Sequence, residues 1–124
     1  MATGLNNLKV YQKAFGLAMK IFEESKQFPK EEKYSLTDQM RRSSRSVSAN
    51  IAEAYRKRKY PAHFLSKLSD ADMENTETQV WLEFSISCKY FSKPTYESFL
   101  TDSQEIGRMI DYMMQHPEKF VRNW

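Results

Sequence analysis

The stretch Gln39-Met40-Arg41-Arg42-Ser43-Ser44-Arg45-Ser46-Val47-Ser48-Ala49-Asn50-Ile51-Ala52-Glu53-Ala54-Tyr55 reads as one helix. Met40, Val47, Ile51 and Ala54, with Leu36 before them, recur at helical spacing and mark its inner side. Between them lie Ser43, Ser44, Ser46, Ser48 and Ala49, small residues that let another helix backbone come close. Ser46 and Ala49 are placed at that close contact. Upstream, Ser35-Leu36-Thr37-Asp38 offers an N-cap hydroxyl and a carboxylate near the positive helix end, so the helix is predicted to start at Ser35.

Three more helices flank it. The first is expected from about Asn7 to Lys26, with Leu8, Tyr11, Phe15, Ala18 and Phe22 as one apolar stripe and Val10, Ala14, Leu17 and Ile21 as a second beside it. Two stripes mean two packing partners. Phe28-Pro29 stops this helix, because proline lacks the amide donor and disfavours a helical residue before it. The third helix opens near Tyr60-Pro61 and runs to about Phe91, with Phe64, Leu68, Ala71, Thr78, Leu82 and Ser85 at heptad-like spacing and Asn75 interrupting them. The fourth spans about Thr95 to Gln115, with Phe99, Ser103, Ile106, Ile110 and Met113 inward and His116-Pro117 ending it. Short connections favour antiparallel neighbours, so the expected fold is all-α: an antiparallel up-down-up-down four-helix bundle.

A chain of 124 residues with only 3 glycines and 4 prolines fits one domain over residues 1–124, with short termini outside the bundle. Cys88 is the only cysteine, so no intramolecular disulfide can form. The amino terminus lacks the apolar run of a secretory signal, and no run of about 18 apolar residues exists. The expected location is the cytoplasm, with no membrane partner. The net charge of +3 is modest, but it is segregated. Arg41, Arg42, Arg45, Arg56, Lys57, Arg58 and Lys59 face Glu53 alone in the second helix and its end, whereas Asp70, Asp72, Glu74, Glu77 and Glu83 make the third acidic.

The chemistry this pattern permits is narrow. A di-metal carboxylate bundle needs Glu-x-x-His pairs, and neither His63 nor His116 has a glutamate three residues before it. Cys88 lacks a ligand neighbour at metal spacing. No metal or cofactor is expected. Asp70, Glu74 and Glu77 share a face, but no nucleophile accompanies them, so a solvated face or ion pairs with Arg41, Arg42 or Arg45 explain them better than acid–base catalysis. Asn50, Glu53, Asn75 and Gln79 are read as a polar layer that sets helix register rather than as a ligand pocket. Arg56-Lys57-Arg58-Lys59 beside Tyr60, with Arg41, Arg42 and Arg45 upstream, could bind phosphates, although cations at a helix C-terminus also offset its dipole. Trp81, Phe84, Tyr90, Phe91, Tyr96 and Tyr112 exceed what one bundle core needs and point to self-association.

The segment 39–55 resembles the signature of the 23S rRNA intervening-sequence proteins, a four-helix-bundle family. Phe28-Pro29 with Glu32, Tyr34 and Leu36 is similar to the family's first loop, Glu77-Thr78-Gln79 to its third helix, and Ile106-Gly107-Arg108-Met109-Ile110 to its last. The sequence departs from the pattern at Arg45, usually apolar, at Ser48, often proline, and at Ala54, usually glycine. The resemblance implies a ring, typically a homopentamer, related to accessory proteins of diversity-generating retroelements that bind nucleic acid and a reverse transcriptase. It implies no established enzymatic activity. The expectation is therefore a non-enzymatic homo-oligomer that binds RNA or single-stranded DNA, or else a protein adaptor ring.

Overall fold

A computed structural model describes residues 3–121. The chain forms a short α1 (Thr3–Asn6) and four long helices, α2 (Lys9–Ser25), α3 (Asp38–Arg56), α4 (Pro61–Ser87) and α5 (Lys93–Gln115). No strand occurs among the described residues. The expected termini outside the bundle, residues 1–2 and 122–124, lie outside that range.

Cross-helix contacts fix the chain directions. Met40, Ser43 and Glu53 of α3 meet Ser85, Thr78 and Lys67 of α4, so residue numbers rise on one helix as they fall on the other. Lys13 and Lys20 of α2 pair with Glu105 and Asp102 of α5 in the same inverted order. Each long helix packs on its two neighbours in the cycle α2–α3–α4–α5. The result is an up-down-up-down bundle.

One core runs through all four long helices. Ile21, Met40, Ile51, Phe64, Leu68, Leu82, Ile106 and Ile110 are wholly buried. Each such side chain contributes about 1.5–3 kcal/mol of transfer free energy. The inward positions read from α3, α4 and α5 are all buried. On α2 the core is made by Val10, Ala14, Leu17 and Ile21, whereas in the other stripe only Ala18 is buried and Phe15 is half exposed.

Helix ends differ from expectation where tertiary contacts intervene. Ser35 does not cap α3, because the backbone is already helical from Lys33 through a wide π-type turn to Thr37. α4 stops at Ser87, short of Phe91. Lys89 takes the left-handed conformation (φ 63°), and the Tyr90 N–H donates to the Ser85 carbonyl at 2.8 Å. This turn drops Phe91 against Phe28 and Phe99 at ring distances of 5.2 and 5.5 Å. α5 begins at Lys93, with the Ser92 hydroxyl accepting from the Thr95 N–H at 3.2 Å and Pro94 in the first turn.

The small residues of α3 divide by face. Ser43, Ser44 and Ser48 are buried, each hydroxyl donating back to the carbonyl three residues earlier, and that of Ser43 also accepts from the Thr78 hydroxyl of α4 at 2.9 Å. Ala49 is exposed and Ser46 half-buried, so the close helix approach runs through the former group and not through these two.

Candidate nucleic-acid interface

The seven cations proposed from sequence have different surroundings. Arg42 is held by α4, donating to Glu74 at 3.3 Å and to Glu77. Asp70 turns instead toward Lys67. Thus Glu74 and Glu77 are ion-pair partners, of Arg42 alone among the three upstream arginines.

Arg41 and Arg45, one turn apart, both lie on the Phe22 ring of α2, with guanidinium carbons 4.8 and 5.4 Å from its centroid. Arg41 also donates from Nε to the Ser25 hydroxyl at 2.8 Å. Neither carries an ion pair to a carboxylate among the described residues. Cation–π contact of this kind orients a guanidinium without neutralising it.

The downstream cluster occupies the end of α3 and its turn. Arg56 is the last helical residue and is exposed, as are Lys57 and Lys59. Lys57 lies over Tyr60 at 5.7 Å. Arg58 folds back, its guanidinium 3.7 Å from the Tyr55 ring centroid and its Nε donating to the Tyr55 carbonyl at 2.8 Å. Arg41, Arg45 and Arg56 share one stripe of α3, since their positions fall within about 60° at 100° per residue.

The polar layer has a different membership from the expected set. Asn75 is buried, donates from Nδ2 to the Ser103 carbonyl at 2.9 Å and accepts from the Ser103 hydroxyl at 2.9 Å. Gln79 donates to that same hydroxyl at 3.0 Å. Asn50 and Glu53 stand apart from it: Asn50 donates to the Ser46 carbonyl of its own helix, and exposed Glu53 pairs with Lys67 at 2.7 Å. That hydrogen bond and charge hold the Lys67 pKa above its ordinary value. Sequence reading placed Ser103 inward without assigning it a partner, because the contact joins two helices 28 residues apart.

His63 is exposed, edge-on to Tyr60, and His116 ends α5 with its ring 4.5 Å from Tyr112. Among the described residues no group of three or more His, Cys, Asp or Glu side chains is arranged to hold a metal ion. Among them, too, no helix is long and apolar enough to cross a membrane.

Together these features define an all-α bundle whose one basic helix is laid against an acidic one. The model of the 23S rRNA-intervening sequence protein family matches residues 6–112, and the chain belongs to that family. A crystal structure of a protein of unknown function from the S23 ribosomal protein family of Bacteroides thetaiotaomicron is similar over 86% of this chain and 95% of that one, at 34% identity and a TM-score of 0.78. No curated protein matches the chain.

Proposed function

We propose that this protein is a non-enzymatic, homo-oligomeric factor that binds RNA or single-stranded DNA or serves a nucleoprotein as an accessory, in the cytoplasm. The observation that supports it is the separation of charges on α3: Arg42 is used up by α4, while Arg41, Arg45, Arg56, Lys57 and Lys59 have no carboxylate partner among the described residues. Cations left in this state release counterions when they meet phosphates. A ring, pentameric by resemblance to the family, repeats this basic face and turns weak contacts into avidity. A reverse transcriptase or another protein is a further partner in this reading.

Changing Arg56, Lys57, Arg58 and Lys59 to glutamine tests it on a fluorescent RNA oligonucleotide. Wild-type affinity is expected to fall steeply with salt, and the variant's log–log slope to be shallower by up to about 3, at roughly 0.7 per phosphate contact on a single strand. Helicity and assembly should stay unchanged. No wild-type binding at low salt, or equal binding by the variant, favours the second reading: a protein adaptor or scaffold ring with no nucleic-acid role. The exposed apolar stripe Met73, Val80 and Phe84 on α4 is the observation behind that alternative.

A further inference from the structure

Phe15 and Met19 of α2 are about half exposed, although both sit on a helix whose core needs are met by its other stripe. Beside them lie two adjoining hollows, the first on the outer face of α3 and the second in the groove between α2 and α3. One, of about 480 Å³, is lined by Arg41, Arg42, Arg45, Ser46 and Ala49 together with Asp38. The other, of about 340 Å³, is lined by Tyr11, Phe15, Met19, Arg45, Ala49 and Ala52 among others. Arg45 and Ala49 line both, so the two hollows meet along these side chains.

The groove combines three properties along one line. Its floor is alanine, which leaves room for a flat group. Its α2 wall carries the Tyr11 and Phe15 rings, with centroids 6.1 Å apart. Arg41 and Arg45 mark one end, and Arg56 continues their stripe about 22 Å along α3 from Arg41, at 1.5 Å per residue. Cations spaced along a groove with aromatic faces between them are what a flexible single strand requires: phosphates follow the charges and unpaired bases stack on the rings. A base stacked between its neighbours in a duplex has no free face to offer, and a purely apolar protein surface would leave Arg45 and Arg56 without partners.

We infer that the α2–α3 groove is a single-stranded nucleic-acid channel in which Phe15 is a base-stacking platform and Arg41, Arg45 and Arg56 track the phosphates. The inference rests on the nucleic-acid reading above and adds to it the strandedness, the path and an aromatic contact. Met19 flanks the ring and limits how far a stacked base slides. Base identity is not read here, since every base has a π-face and the groove wall offers few directed donors.

The test uses the full chain and a short single-stranded RNA containing 2-aminopurine, whose fluorescence is quenched by stacking. Wild type is expected to bind and quench, and to bind a duplex of the same sequence more weakly. Phe15→Ala should lower affinity by roughly five- to a hundred-fold and abolish quenching, while leaving the salt slope unchanged because no cation is removed. Phe15→Tyr, which keeps a ring, should retain both. Arg45→Gln should instead reduce the salt slope by about 0.7. If Phe15→Ala binds and quenches like wild type while the Arg56–Lys59 glutamine variant is impaired, the channel is wrong and the nucleic-acid reading stands. If wild type binds no RNA at low salt, both fall. A fall in the light-scattering mass of Phe15→Ala would show instead that the groove is a contact between copies, which also overturns the channel.

Discussion

Glu32 shows how one side chain can fasten two distant turns. Its carboxylate accepts from the Ser35 hydroxyl at 2.6 Å and from the Tyr90 hydroxyl at 2.9 Å, linking the loop after α2 to the turn before α5. The Ser35 and then the Tyr90 hydrogen bond hold the Glu32 pKa below its ordinary value, while Tyr90 is pushed up to about 12, first by that bond. The signs are opposite. Glu32 contributes stability that is present at neutral pH and is lost as pH falls through its folded pKa; Tyr90 contributes stability that is present below its ordinary pKa and is lost as pH rises through about 12. Carbon NMR titration of the Glu32 carboxyl should therefore show a rise in Ser35→Ala, a smaller rise in Tyr90→Phe, and a return toward the ordinary value of about 4.3 in the double variant. An unmoved titration in both single variants would mean that neither hydroxyl reaches the carboxylate in solution. The sequence carried no sign of this contact. Ser35 has the chemistry of a helix cap, and only the packed position of Tyr90 gives Glu32 the second donor that holds the turn in another shape.

Between helices, the Asn75–Ser103–Gln79 cluster sets the register of α4 on α5. Gly107 faces it, and a Cβ built there would lie 3.3 Å from the Asn75 amide nitrogen, tighter than relaxed packing allows. Alanine at 107 gains about 1 kcal/mol of helix propensity but must displace an amide tied at both its atoms. Gly107→Ala is thus expected to lower the melting temperature of the wild-type chain. In an Asn75→Ala background, itself destabilised by roughly 1–3 kcal/mol, the same change should raise it. Additive effects in this double-mutant cycle would show that the two residues do not touch. The faces of α3 and α5 were legible because each has one apolar side at a helical period, and that of α4 because Phe64, Leu68, Ala71, Thr78, Leu82 and Ser85 hold heptad-like spacing over a longer run than Met73, Val80 and Phe84 on its outer side. α2 was not resolved by the same rule. Both of its stripes are apolar, so periodicity cannot choose between them, and the choice is made by which stripe fits the space left by the other helices. Ala49 was ambiguous for a related reason: a methyl group suits a tight helix contact and the floor of a groove equally well.

Across the assembled bundle, the distribution of exposed apolar side chains bears on assembly. Met73, Val80 and Phe84 form one stripe on the outer side of α4, at spacings of seven and four, and are 69%, 43% and 53% exposed. At the far junction of α2 and α5, a cavity of about 490 Å³ is lined by Leu8, Val10, Met109, Tyr112, Met113 and Phe120. Two distinct apolar patches on one chain suit a head-to-tail contact, the kind that closes into a ring, better than a self-complementary dimer. Three side chains cannot supply the roughly 800 Å² per partner of a stable interface, so the stripe would form only the centre of a larger contact. Val80→Glu combined with Phe84→Glu places two charges at that centre while keeping good helix formers, and neither position contributes to the buried core. The expected outcome is a fall in light-scattering mass at micromolar concentration with circular dichroism unchanged. RNA affinity should fall with it, because avidity is lost, while 2-aminopurine quenching at saturating protein persists, because the α2–α3 groove belongs to one subunit. If the mass stays that of the wild-type oligomer, α4's outer face is not the assembly surface; if wild type is already a monomer, neither this stripe nor avidity has a part in binding.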